Sequence, residues 1–250
     1  MSSFIAQDPW HGLRRFTTAR IALGRTGGSL PTRELLAFAH DHALARDAVH
    51  APFDGAKLAD AFRAVGGEVI ELASAAPDRA TYLRRPDLGR KLSDASRECL
   101  AARVHGTCDL VLLVSDGLSA LAAERQAPPL VAILQPKLAA AGWRVGPVCV
   151  VRHARVALMD EVGAALHAQL ALILLGERPG LGTADSLGAY LAFAPGPGRT
   201  NADRNCVSNI RTEGLPPAAA AERIFSLLTA ARRAQLSGVT LKDDSGPALA

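Results

Sequence analysis

A glycine-rich turn after an apolar run is the strongest candidate for ligand binding in this sequence. Residues 170–175 are continuously apolar and lead into residues 176–182, Gly-Glu-Arg-Pro-Gly-Leu-Gly. Glycines there let backbone approach a ligand closely and leave N–H groups exposed, and Glu177 would lie at the carboxyl end of a buried strand. A dinucleotide motif would need a glycine where Asp185 stands, and no P-loop is present. The turn therefore predicts either a ligand site or, alternatively, a solvated Glu-Arg pair.

A second candidate is the polar segment 203–209, Asp-Arg-Asn-Cys-Val-Ser-Asn. It lies between the glycine- and proline-rich stretches 195–199 and 214–217, so the pattern predicts a long loop. Ordered loops of this kind often carry function. On the pattern alone, Cys206 is either a ligand contact or an inert thiol.

The histidines and cysteines do not form a self-contained catalytic or metal site. His40 and His42 stand two apart on a predicted helix and point to different sides, so they cannot chelate one metal together. No Ser-His-Asp arrangement or nucleophile elbow is visible. We therefore predict no catalytic residue and no metal ligand in this chain. The cysteines match no metal or redox spacing, which predicts four free thiols with three of them in the core: Cys99, Cys108, Cys149 and Cys206.

Composition excludes several classes of protein. The 250 residues are 49% apolar and 21% charged, as in ordinary globular proteins. The longest apolar stretches, such as 110–114 and 170–175, are far shorter than the roughly 20 residues of a membrane-spanning helix, and residues 1–15 do not resemble a secretory signal. We expect no membrane partner and a cytoplasmic location. The net charge of +4 is small and its cations are interleaved with anions, so we expect no nucleic-acid partner.

The first part of the chain, 1–105, is predicted to be a smaller, mainly helical portion. A helix opens near Thr32, a plausible N-cap, and a second helix carries Leu58 and Phe62 on one face before Gly66-Gly67. A short strand at 69–72, a basic turn at 84–89 and a helix through residues 92–100 follow.

The second part, 106–250, alternates strands and helices. Continuous apolar strands are predicted at 110–114, 148–151 and 170–175, with another at 190–193. Helices are predicted at 129–141, 161–167 and 218–235. The fold class is therefore α/β, a Rossmann-like doubly wound, mostly parallel sheet, which binds ligands outside the carboxyl ends of its strands.

Several uncommon strings, in one order, resemble the small (light) subunit of ethanolamine ammonia-lyase over nearly the whole chain. The matching stretches are residues 13–28, 83–90 (Leu-Arg-Arg-Pro-Asp-Leu-Gly-Arg), 114–119 (Val-Ser-Asp-Gly-Leu-Ser), 176–182 and 206–210. Together these strings are far more specific than a lone glycine motif.

The resemblance implies a lyase subunit that is inactive alone. In that family adenosylcobalamin undergoes Co–C homolysis, the adenosyl radical takes hydrogen from ethanolamine, and acetaldehyde and ammonia leave. The chemistry occurs in the large subunit, the partner of this chain, while the small subunit covers part of the cobalamin. Matched by motif, the cofactor contacts fall on Val156, Glu177 and Cys206.

The resemblance also bears on cobalt ligation and location. The cobalamin motif Asp-x-His-x-x-Gly is absent, so the nucleotide base is expected to stay on cobalt (the base-on form). Family members often have a longer N-terminal extension, which leaves open whether this chain is packaged in a bacterial microcompartment. The alternative class is a stand-alone nucleotide-dependent oxidoreductase or transferase, against which the missing phosphate motif after 110–114 counts. A nucleic-acid-binding module that uses Arg14, Arg15, Arg84 and Arg85 is a third possibility, and its signature would be salt-dependent binding.

Overall fold

A computed structural model describes residues 5–103 and 106–241 of the chain. The helices of the described residues are α1 (Thr32–His50), α2 (Gly55–Ala64), α3 (Arg79–Arg84), α4 (Asp94–Ala101), α5 (Ala120–Ala140), α6 (Leu158–Ala165) and α7 (Pro217–Ala234). The strands are β1 (Val69–Ala73), β2 (Cys108–Ser115), β3 (Val145–Arg152), β4 (Ala168–Gly176), β5 (Leu187–Phe193) and β6 (Arg204–Ile210). Short 3₁₀ helices lie at His11–Phe16, Leu88–Arg90, Asn201–Asp203 and Gly238–Thr240.

The six strands form one sheet in the order β1-β3-β2-β4-β5-β6. The pairs β1–β3, β3–β2 and β2–β4 are parallel, whereas β4–β5 and β5–β6 are antiparallel. The predicted α/β class with a mostly parallel sheet is confirmed.

The sheet is buried on both faces because the middle of its central strands is continuously apolar, as in residues 110–114 and 170–175. In β2, Leu112 and Val114 face one core, which α2, α5 and α7 cover, while Val111 and Leu113 face the other core, which α4 and α6 cover. A continuous apolar run is the signature of such a doubly covered strand. Residues 110–114 were therefore correctly predicted as a central strand.

Helix α5 begins at Ala120, whereas the sequence predicts a start at residue 129. Proline is favoured in the first helical turn, so Pro129 predicted the start of the helix. In the structure Ser119 is the N-cap and accepts a hydrogen bond from the Ala122 N–H at 3.2 Å, while Pro128 and Pro129 lie inside the helix. Similarly, α1 begins at Thr32 itself, with Pro31 in the N-cap position.

The prediction of a polar loop over residues 203–209 is wrong, because most of this segment is the edge strand β6. Tyr190 of β5 is the register partner of Cys206 in β6. Strand β6 buries Val207 and Ile210 on the α7 side and leaves Cys206 and Ser208 exposed. A strand with one open face carries polar residues, and its sequence therefore resembles that of a loop.

The sheet extends into the portion of the chain before residue 105. Strand β1 pairs with β3, and α2 packs on the same core as α5. The division into domains at residue 105 stays a prediction. No helix of residues 5–103 and 106–241 is long and apolar enough to cross a membrane.

All four cysteines are free, as predicted, but only Cys149 is fully buried. Cys99 and Cys108 are half-buried and Cys206 is exposed, so the prediction of three core cysteines is wrong. Burial raises the pKa of the Cys149 thiol to about 12, which keeps it protonated at neutral pH.

Candidate functional site

The carboxyl ends of β2, β3 and β4 meet at one edge of the sheet and border an open cavity of ≈ 430 Å³. The connection after β2 leads toward β3, and the chain after β4 turns toward β5 on the other side. The crevice between these diverging connections is where open α/β sheets bind ligands. The cavity volume falls in the roughly 300–1,000 Å³ range of small-molecule sites. Leu118 and Leu175 give the cavity an apolar lining.

Glu177 lies directly after β4 and lines this cavity. Its Oε2 atom accepts hydrogen bonds from the Ser186 hydroxyl at 2.5 Å and from the Asn209 backbone N–H at 3.3 Å. Gly188 leaves room for the carboxylate, since a Cβ atom there would stand 2.9 Å from Oε1. Among the described residues, none donates a hydrogen bond to Oε1, which is therefore free to accept one from a ligand.

Val156 lies in the short turn between β3 and α6 and lines the same cavity. It is half-buried against the core that α6 covers. Two neighbours set the path of this turn: the Ala154 N–H donates to the Ser115 hydroxyl at 3.0 Å, and the Arg155 N–H donates to the Gly89 carbonyl at 2.7 Å. The predicted contact residue Val156 is thus held by β2 and by the basic turn near residue 89.

Cys206 does not line the cavity but lies beside it. Its side chain contacts that of Tyr190 on the neighbouring strand, and Tyr190 does line the cavity. Desolvation by the surrounding strands raises the pKa of the exposed Cys206 thiol, and the charge of Glu177 raises it further, so the thiol is protonated at neutral pH. Burial likewise raises the pKa of the Tyr190 hydroxyl.

Arg155 and Tyr82 complete the cavity wall on the β3 side. The Arg155 guanidinium lies over the Tyr82 ring, 4.2 Å from its centroid, and Nη2 donates to the Tyr82 carbonyl at 3.3 Å. The Tyr82 hydroxyl donates to the Ala154 carbonyl at 3.0 Å, and burial raises its pKa. The sequence pattern predicted neither Arg155 nor Tyr82 as a site residue. For Tyr82, the signal in the sequence was the adjoining segment 83–90, because its Gly89 leaves room for the Tyr82 ring and the Arg155 stem.

A buried polar network lies behind the wall. Asp116, which is 1% exposed, accepts hydrogen bonds from the His153 N–H and ring Nδ1, from the Ser115 hydroxyl and from Arg79. Arg79 also donates to the Gly117 carbonyl at 2.6 Å and, from α3, reaches the Val49 carbonyl in α1 at 2.7 Å. This network fixes the strand ends relative to α1 and α3.

The three predicted contact residues therefore lie at one edge of the sheet. Val156 and Glu177 share a cavity, and Cys206 adjoins it through Tyr190. In residues 5–103 and 106–241, no group of three or more His, Cys, Asp or Glu side chains could hold a metal ion. Their role in binding a cofactor stays a prediction.

The sheet defines the class of an α/β protein with a mostly parallel sheet and a cavity at its edge. Among the described residues that line this cavity, no nucleophile is paired with a base. Within that class, the family model "Ethanolamine ammonia-lyase light chain (EutC)" matches residues 7–242. The chain therefore belongs to the ethanolamine ammonia-lyase light chain family.

Curated relatives agree with this family. The "Ethanolamine ammonia-lyase small subunit" of Pseudomonas aeruginosa (strain LESB58) is 52% identical over 243 residues, which cover 96% of this chain and 89% of that protein. The proteins of the same name from Ralstonia nicotianae (strain ATCC BAA-1114 / GMI1000) and Azotobacter vinelandii (strain DJ / ATCC BAA-1303) are each 52% identical over 242 residues, with 96% and 90% coverage.

Proposed function

We propose that this chain is the small subunit of an adenosylcobalamin-dependent ethanolamine ammonia-lyase and forms one wall of its cobalamin site. The observation that carries the proposal is that Val156 and Glu177, the contacts implied by the family, line one cavity at the switch point of the sheet. Membership of the ethanolamine ammonia-lyase light chain family over residues 7–242 supports the proposal. The reaction proposed for the complex is conversion of ethanolamine to acetaldehyde and ammonia.

The residues of the cavity fit a cobalamin. A corrin ring presents a broad apolar face with amide side chains around its rim. Val156, Leu118 and the Tyr190 ring offer apolar contact, and the free Oε1 of Glu177 can accept a hydrogen bond from a rim amide. The buried Arg155 Nε has no partner among the described residues, which indicates a polar group supplied from outside the chain.

When bound, adenosylcobalamin supplies a cobalt–carbon bond that breaks to give the radical needed for the elimination. The proposed role of this chain is to bind the cofactor and orient it. Glu177 is held by Ser186 and Asn209, so its acceptor atom is fixed before the cofactor arrives. Leu118 and Leu175 exclude water from the apolar wall.

The cavity supports base-on binding. His153 is the histidine nearest to the wall in sequence, but it is buried, its Nδ1 is bound to Asp116, and its ring stacks on Tyr82 with centroids 5.5 Å apart. Of the described residues that line the cavity, none is a histidine. This wall would therefore offer no histidine to a bound cobalamin, which fits the proposed base-on form.

The N-terminal segment supports a contact with the large subunit. Of the 19 residues of α1, only Glu34 and Ala48 are buried. Leu36 is 64% exposed and Phe38 is 44% exposed. Two further leucines of α1, Leu35 and Leu44, are also exposed, and the four side chains point in different directions around the helix. Several exposed large apolar side chains on one helix mark a surface for a partner. Arg79 ties α1 to the network behind the cavity, so α1 lies close to the proposed cofactor wall. A large subunit that closes over the cofactor would therefore also contact α1.

Reconstitution tests the proposed function. The purified chain should release no ammonia from ethanolamine, with or without adenosylcobalamin. Addition of the large subunit together with the cofactor should give activity and a complex that contains both chains. Ammonia release by this chain alone, or failure of an assembled complex to bind cobalamin, would reject the proposal. A cytoplasmic location, or packaging in a microcompartment, can be tested by cell fractionation.

A further inference from the structure

Two arginines of the cavity have no carboxylate partner. Arg155 and Arg178 both line it, and within residues 5–103 and 106–241 neither forms an ion pair. Glu177 is the nearest anion in sequence to Arg178, but its Oε2 is engaged by Ser186 and Asn209. The two guanidinium groups are therefore available to a ligand.

The position of Arg155 is built by the surrounding fold. Its guanidinium rests on the Tyr82 ring, and Gly89 makes room for its stem, since a Cβ atom at residue 89 would lie 2.8 Å from the Arg155 Cγ atom. Its Nε is buried without a partner among the described residues. A half-buried cation with an unsatisfied N–H is costly unless an acceptor compensates it.

The charges that line the cavity indicate what that acceptor is. Arg155 and Arg178 contribute two positive charges and Glu177 one negative charge, which leaves one net positive charge. A phosphodiester carries a single negative charge, and its oxygens match the forked donors of guanidinium groups. The amides of a corrin rim are neutral and would not need this charge.

We propose that Arg155 and Arg178 form a subsite for the phosphodiester in the nucleotide loop of cobalamin, while Glu177 receives the neutral amide rim. This inference rests on the proposed function, and it adds that the chain recognises the nucleotide loop as well as the corrin ring. The loop that carries the lower base is then anchored to this subunit by charge.

The test compares two probes that differ in the nucleotide loop. Cyanocobalamin has the phosphodiester and base, whereas dicyanocobinamide has the same corrin ring without them. Each is titrated by equilibrium dialysis, with absorbance as the readout, against the complex of this chain with the large subunit. Arg155→Gln is expected to raise the Kd for cyanocobalamin by about 10- to 100-fold, the value of a charge-assisted hydrogen bond. The Kd for dicyanocobinamide should not change.

Matched variants separate the subsite from folding. Arg84 is exposed at the end of α3 and does not line the cavity, so Arg84→Gln should leave both affinities unchanged. Arg155→Lys keeps the charge and should recover part of the cyanocobalamin affinity. Arg178 is exposed, so the Arg178→Gln chain should fold normally. It should still bind cyanocobalamin more weakly, with unchanged binding of dicyanocobinamide. If the Arg155→Gln chain does not assemble with the large subunit, the affinities of the Arg178→Gln complex for the two probes decide the test.

If the arginine variants bind both probes equally more weakly, or bind both as the wild type does, the phosphodiester subsite is overturned while the proposed function stays intact. A wild-type complex that binds neither probe would instead reject the proposed function, and the subsite with it.

Discussion

The Asp116 carboxylate joins the ends of β2 and β3 by accepting hydrogen bonds from both the backbone N–H and the ring Nδ1 of His153, at 2.7 and 2.9 Å. Since a carboxylate only accepts, Nδ1 carries the proton in this contact. His153 has a φ of 61°, in the left-handed region that bulky residues rarely adopt. The two bonds to one carboxylate therefore hold a strained residue at the edge of the sheet, directly before the wall residues Arg155 and Val156.

Replacement of Asp116 by Ala should destabilise the fold strongly. It leaves the largely buried Arg79 without its counterion, and removing one partner of a buried pair costs about 3–5 kcal/mol. The free energy of unfolding, measured by urea denaturation of the isolated chain, checks this. Asp60→Ala removes an exposed partner of Arg63 and serves as the control, with little change expected. Similar stabilities of the two variants would show that the network is not structurally important.

Replacement of Glu177 by Ala should weaken cobalamin retention more than it weakens folding. The loss of one hydrogen bond to the ligand predicts about a tenfold higher Kd, or ~1.4 kcal/mol. Glu177→Gln keeps an acceptor oxygen, so its Kd should lie closer to that of the wild type. Ser208→Ala, on the exposed face of β6, is the control. Dialysis of the assembled complex against cyanocobalamin measures the effect, and an unchanged affinity in Glu177→Ala would remove this residue from the site.

Charge introduced into the apolar surface of α1 should prevent assembly. Leu36→Glu or Phe38→Glu would bury a charge in the proposed contact with the large subunit, whereas each side chain is solvent-exposed in this chain alone. Circular dichroism of the isolated variants should match the wild type, while size-exclusion chromatography with the large subunit should show loss of the complex. Arg46→Glu changes an exposed residue of the same helix to a charge of opposite sign and tests whether charge alone is responsible. Normal assembly of both Leu36→Glu and Phe38→Glu would place the contact elsewhere.

The reactivity of Cys206 should depend on pH in a defined direction. Desolvation raises the pKa of its thiol, and only the thiolate reacts with iodoacetamide, so alkylation near neutral pH should be slower than in the urea-unfolded chain and should increase as the pH rises. Since the folded state holds this proton to higher pH than the unfolded state, the thiol also makes stability fall as the pH rises above the unfolded pKa. Peptide mass spectrometry identifies the modified residue, with buried Cys149 as the internal control. Faster alkylation in the folded chain at neutral pH would contradict the raised pKa.

The sequence by itself determined the class of the fold and one part of the site. The continuous apolar runs at 110–114 and 170–175 specified strands covered on both faces, because an uncovered face would carry polar residues. The position of Glu177 after the second run then placed its carboxylate at the edge where such sheets bind ligands. These are local patterns, and local patterns are what a sequence shows directly.

Only the tertiary structure decided which residues surround Glu177. Tyr82, Arg155 and Tyr190 come from three segments separated by more than thirty residues, and their proximity depends on strand register and on the packing of residues 79–90 against the β3 turn. The edge strand β6 was mistaken for a loop because its polar face has no covering layer, and its pairing with β5 is a long-range property. Spacing along the chain records neither register nor packing, since both arise from contacts between residues that are distant in sequence.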